Sequence, residues 1–239
     1  MLWPFVKRLM GFLGIGKSLV GGKGTLSLDA ALSRFWARDI PVGTVIDIGA
    51  SDGRWSLTVK KYFPDARYLL VEGQAAHEPA LDRLKRTFGN IVYVIAAASD
   101  RSGTVYFESG DPFGGVASHT HDRGMVEVPA VTVDELVRDR GLPSPYLLKL
   151  DTHGFEVPIL EGAGATLKRT QLVVVETYNF RIGSESLLFH EMCRYMEGKG
   201  LRCIDLCEPM HRPMDGALWQ VDLFYVPDTR KEFSSNRYS

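Results

Sequence analysis

The chain has 239 residues, of which 45% are hydrophobic and 24% charged; that is room for one domain with a sizeable core and the mix of an ordinary globular protein. Its net charge of −1 leaves no electrostatic footprint for nucleic acid. Cys193, Cys203 and Cys207 are odd in number and lack paired zinc spacing, so they read as reduced thiols of a cytoplasmic protein.

Residues 1–28 form a basic amphipathic segment in which Lys7, Arg8, Lys17 and Lys23 precede the first acid, Asp29. The apolar run is broken by Pro4, Lys7 and Arg8, is too short to cross a bilayer and lacks a signal-peptide cleavage site. Leu2, Phe5, Val6, Leu9, Met10 and Leu13 recur at helical spacing. That suits a helix packed on its own domain, or one that gives residues 1–20 a peripheral contact at the inner membrane face. Residues 11–18, GFLGIGKS, formally spell a phosphate loop. No buried strand precedes them and LVGGKGT is a poor helix opening, so the match is set aside.

From residue 29 to 226 strands and helices alternate. The pattern predicts a helix over 28–37, a buried strand over 44–49, a helix over 54–63 stopped by Pro64, and a strand over 67–73. A helix over 77–89 and a strand over 91–99 follow, then an antiparallel hairpin of 103–109 with 126–133. Helices at 131–141, 155–163 and 187–200 separate strands at 146–151 and 171–178 from a last pair, 201–207 and 219–226. Residues 227–239 are a polar, frayed tail. The alternation predicts a Rossmann-like, mostly parallel α/β sheet with helices on both faces, which binds ligands at the carboxyl ends of its strands.

Those ends are Asp47 with its glycine turn, Glu72, Ser99 with Asp100, Asp151, and Glu176. So many acids suit a ligand rich in amines and hydroxyls better than a pyrophosphate. Glu72 stands 25 residues after Asp47, where a carboxylate accepts both hydroxyls of a ribose. The first turn has Gly49 and Gly53 around Ala50, Ser51 and Asp52, and the third glycine of a dinucleotide fingerprint is replaced by Arg54. This favours a sulfonium cofactor of the methionine type over NAD. Tyr62, Tyr68 and Tyr146 also lack the lysine four residues on that an NAD-dependent oxidoreductase or epimerase would want.

In order, VIDIGASDG, LLVEG, AAASDRSGTVYF, VTVDELV, LLKLDTHGFEVPILEGA, VVVETY and GALWQVDLFYV resemble the FkbM-type S-adenosylmethionine-dependent methyltransferases over roughly residues 30–226. The most specific block is Lys-x-Asp-x-x-Gly-x-Glu followed by Gly-Ala, here Lys149, Asp151, Gly154, Glu156, Gly162 and Ala163; Asp222 marks the closing strand. His153 stands where the family usually has an acid, and Ser51 and Asp52 replace the usual residues of the first turn. The resemblance implies a class I fold of seven strands whose last strand inserts antiparallel. It implies S-adenosyl-L-methionine as cofactor, with Asp47, Gly49, Ala50 and Gly53 at the methionine portion and Ser51, Asp52 and Gly73 in the same cradle. Glu72 would hold the ribose, Ala98 and Ser99 would flank the adenine, and Asp151 would sit beside the methyl group.

The expected chemistry is O-methylation of a small-molecule or glycan hydroxyl, with His153 as base and Asp151 orienting it or meeting the cofactor's amine. A non-catalytic cofactor-binding protein is the alternative of another class. Lys149 is expected to pair with a core carboxylate. His119 and His121 sit in a glycine-rich loop over 111–122, and Arg181 and Arg212 are candidates for gripping an acidic substrate. No metal ligand set is assigned, and neither nucleic-acid partner nor oligomeric state is read.

Overall fold

The computed structural model describes residues 24–108, 110–111, 114–183 and 185–238. The expectations for residues 1–23, both the amphipathic segment and the phosphate-loop look-alike, lie outside these. Among the described residues no helix is long and apolar enough to cross a membrane.

Helix α1 (Leu28–Trp36) begins where the Ser27 hydroxyl accepts the Ala30 N–H. It is followed by β1 (Thr44–Ile48), α2 (Arg54–Lys60), β2 (Arg67–Glu72) and α3 (Glu78–Thr87). The run expected as one strand over 91–99 divides into β3 (Ile91–Ile95) and β4 (Ala97–Ala98). Ala96 donates to the Glu72 carbonyl, while Ser99 donates to that of Val131, so the chain changes sheets there. The hairpin is β5 (Gly103–Phe107) with β7 (Val126–Val131), joined by β6 (Ala117–Ser118) and β4 into a separate four-stranded sheet.

Helix α4 (Val133–Asp139) is capped by the Thr132 hydroxyl, which accepts the Glu135 N–H, so the expected start at 131 moves inward. Then come β8 (Tyr146–Leu150), two short helices α5 (Glu156–Glu161) and α6 (Gly164–Leu167), β9 (Thr170–Tyr178) and α7 (Phe189–Gly198). The last pair is longer than expected, β10 (Leu201–His211) with β11 (Leu218–Pro227). The tail is not simply frayed. Phe233 packs against the core and the Arg202 guanidinium lies 4.4 Å over its ring.

The main sheet has seven strands in the order β10-β11-β9-β8-β1-β2-β3. Neighbours among β3, β2, β1, β8 and β9 are parallel, and β11 runs antiparallel between β9 and β10. The expected insertion of the last strand is borne out. Each buried strand feeds two cores because successive side chains alternate faces. Ile46, Leu69, Leu148 and Val173 face α4, α5 and α7. Val45, Leu70, Leu147 and Val174 face α1, α2 and α3. Burying each such side chain contributes roughly 1.5–3 kcal/mol, which makes the sheet a stiff base for the loops at its carboxyl edge.

Candidate active site

Those loops line a cavity, open at its mouth, over the ends of β1, β2 and β8. Its floor begins at the first turn. Gly49 has φ +70°, and a Cβ there would collide with the Asp151 carbonyl oxygen, so the two chain segments touch only because the residue is glycine. Ser51 also takes a left-handed conformation, φ 50°, and its N–H donates to Glu72 Oε2 at 2.7 Å. The Gln74 N–H donates to Glu72 Oε1 at 2.8 Å. The carboxylate of Glu72, 5% exposed, is thus fixed at the cavity wall by two backbone amides.

Asp47 lies below this surface. It is wholly buried, accepts the Ser56 hydroxyl at 2.7 Å and faces Lys149 Nζ at 3.2 Å. The same ammonium lies 3.2 Å from Asp151 and donates to the Gly49 carbonyl at 2.9 Å. Burial works against the Lys149 charge, but Asp151 and Asp47 outweigh it and its pKa is raised. Lys149 therefore does pair with a core carboxylate, and it braces β1, the glycine turn and the end of β8 together. Glu156 completes the block: it is buried, accepts the Gly154 N–H at 2.9 Å and the Thr152 hydroxyl at 3.1 Å, and so closes the turn that presents residues 151–153.

Asp151 and His153, which line the cavity, converge with Glu176, which does not. His153, held at φ 53°, has Nε2 3.8 Å from Asp151 and 3.6 Å from Glu176. Tyr178 and Gln220 donate to the two oxygens of Glu176. Burial and the Asp151 charge push Glu176 up to about 9. Burial also works against the Asp151 charge, but Lys149 and His153 reverse it and hold its carboxyl below the usual range. Two neighbouring carboxyls thus differ in protonation near neutrality, the arrangement that lets one donate and the other accept. One ligand atom from each of Asp151, His153 and Glu176 lies within 4.8 Å of the others, a set able to hold a divalent cation.

Of the residues singled out from sequence, Gly49, Ala50, Ser51, Glu72, Gly73, Ala98, Asp151 and His153 line the cavity, whereas Asp47, Asp52, Gly53 and Ser99 do not. Asp52 is paired with Arg54 at 2.7 Å, and a Cβ on Gly53 would strike Leu84 of α3. The Ser99 carbonyl packs against Gly162. His119 and His121 part company: the first pairs with Asp100 at 2.9 Å and with Glu185 at 3.5 Å, the second lies edge-on to Tyr106. Arg181 is engaged by Glu191 and Arg212 by Asp215. A Tyr-x-x-x-Lys spacing does occur at the end of α7, from Tyr195 to Lys199 just past it, which corrects the sequence reading; both side chains bond Glu161, and neither lines the cavity. Trp55, Phe107, Gly115 and Phe155 also line it and were missed. Only Trp55, two residues after the glycine turn, carried a positional signal.

Residues 47–203 match the family described as Methyltransferase FkbM domain. A hexuronic acid methyltransferase, AglP of Haloferax volcanii, is 29% identical over 96 residues, which are 39% of this chain and 39% of that protein. A methyltransferase FkbM from Methylobacillus flagellatus KT has the same fold, with a TM-score of 0.51 at 13% identity over 76% of this chain and 43% of that one. In both cases the match spans less than half of the relative's length.

Proposed function

This chain belongs to the FkbM methyltransferase domain family, and from that premise we propose that it is an enzyme that transfers a methyl group from S-adenosyl-L-methionine to a hydroxyl of a sugar, glycan precursor or secondary metabolite. The observation that carries the cofactor reading is Glu72. Its two oxygens are aimed by the amides of Ser51 and Gln74, and each keeps a second lone pair for a vicinal diol at the cavity wall. The apolar strip of Val71, Ala97, Ala98 and Phe107 beside it suits an adenine ring. Arg54 in place of the third glycine disfavours a dinucleotide.

When bound, the cofactor supplies a methyl group made electrophilic by its sulfonium. The rest falls to the chain. Gly49, Ala50 and Ser51 let the backbone approach the methionine end, with Asp52 and Gly53 shaping the turn, Asp47 holding Lys149 beneath it, and Ser99 setting Ala98. Alignment of nucleophile and methyl is worth up to about 7–11 kcal/mol in such displacements. His153 accepts the hydroxyl proton and Asp151 steadies the resulting cation, a step worth roughly 100- to 10,000-fold. The convergence of these two with Glu176 favours an enzyme over a binding module. A hydroxyl on a sugar is supported by the partial likeness to the hexuronic acid methyltransferase.

The test is isothermal titration of wild type and Glu72→Ala with S-adenosylmethionine, S-adenosylhomocysteine and NAD. Micromolar binding of the first two, lost in the variant, is expected. Binding of NAD, or of none, sinks the cofactor reading. Methyl-labelled cofactor with a panel of sugars that includes hexuronic acids then tests the acceptor: label on nitrogen or carbon, or no transfer, refutes O-methylation.

A further inference from the structure

At the opposite edge of the main sheet from the cavity over β1, β2 and β8, a second hollow lies between the turns that lead into β1 and β2. Its surface is mostly apolar: Trp36, Val42 and Tyr62 are half-buried, and Pro41 and Pro64 are exposed. Asp39 and Asp65 stand among them, both exposed, and no lysine or arginine lines the hollow. An apolar hollow with an acidic rim fits an amphipathic partner of positive charge.

This chain carries such a partner. Residues 1–23, outside the described ones, hold Lys7, Arg8, Lys17 and Lys23 and no acid, with Leu2, Phe5, Val6, Leu9, Met10 and Leu13 at helical spacing. A helix of that length is marginal alone in water and forms where its apolar face is covered. The chain enters the described fold beside the hollow, because the Tyr62 hydroxyl donates to the Asp29 carbonyl at 2.9 Å. Helix α1, nine residues and about 14 Å long, then runs to Trp36 at the hollow. Residues 14–23 span up to about 33 Å when extended, so residues 2–13 can reach back over it. A tether this short holds the segment at roughly millimolar effective concentration. We infer that residues 2–13 dock in this hollow, apolar face inward, with Lys7 and Arg8 toward Asp39 and Asp65. The basic segment is then a part of its own domain rather than a membrane contact, and it leaves the cavity at the other edge open.

The test is photo-cross-linking within the full-length chain. The photoreactive residue p-benzoylphenylalanine replaces Phe5 in one variant and Leu9 in another, so that one stands in should the other not fold. After irradiation the main product is expected to run as a monomer and to join the label to peptides containing residues 36–43 or 62–66. In parallel, wild type is mixed with phosphatidylglycerol vesicles and centrifuged through a density gradient, and is expected to stay behind when the vesicles float. A product of dimer size would place the segment on a second copy and overturn the inference. So would cross-links to other parts of the chain, or none from a folded variant. Flotation of the wild type with the vesicles would assign the apolar face to a lipid surface instead, and overturn it as well.

Discussion

Lys149 shows how one side chain serves packing and chemistry together. It is 5% exposed and held between Asp47 and Asp151, with a third bond to the Gly49 carbonyl. Removing one partner of a buried ion pair leaves the other uncompensated, which costs about 3–5 kcal/mol. Lys149→Met is therefore expected to lower stability to urea by that order, and adding Asp47→Asn to recover part of the loss. Equal stability of the single and double variants would refute the pairing. The match of Lys149, Asp151, Gly154 and Glu156 to the family pattern was legible in the chain. What each does was not, because the partners Asp47 and Gly49 are about a hundred residues away and meet Lys149 only through the register of β1 with β8.

Among elements, the approach of the β4 edge to the α5–α6 corner sets the cavity's side wall. Gly162 makes it: a Cβ there would run into the Ser99 carbonyl oxygen, whereas one on Gly164 meets nothing within 4 Å. Gly162→Ala should cost about 1–3 kcal/mol by overpacking, while Gly164→Ala, free of clash, should be neutral or stabilise by up to about 1 kcal/mol. Chemical denaturation of the two variants decides, and equal effects would disprove the contact. Apolar runs and Gly or Pro breaks made nearly every element of the main sheet legible, since burial on both faces writes a continuous apolar run. The break at Ala96 was not legible: AAAS continues the apolar run, and only pairing with β7 draws it into the second sheet.

Over the whole molecule a net charge of −1 conceals an acidic edge. Asp47, Asp151, Glu176 and Asp222 gather near the carboxyl ends of the parallel strands around one lysine, and burial with the Asp151 charge pushes Asp222 up to about 7. A carboxyl whose folded pKa is raised binds its proton more tightly folded than unfolded. Between about pH 4 and pH 7 the native state therefore holds the extra proton, and stability falls as pH rises through that window, then levels off. Asp222→Asn removes this component, so the stability of wild type relative to the variant should decline from pH 5 to pH 8 in urea titrations. A difference constant with pH would refute it.

By itself the sequence determined the alternation of strands and helices, the glycine turn and the acid at the end of β2, because apolar period, breaker residues and spacing are local properties; the inserted last strand came only through the family resemblance. Only the tertiary structure decided which acids face the cavity: Glu72 and Asp151 line it, Asp47 is sealed under Lys149, and Glu176 is joined by Gln220 from β11. Those assignments depend on which strands are neighbours and in what register, and that is set by burying both faces of the sheet at once.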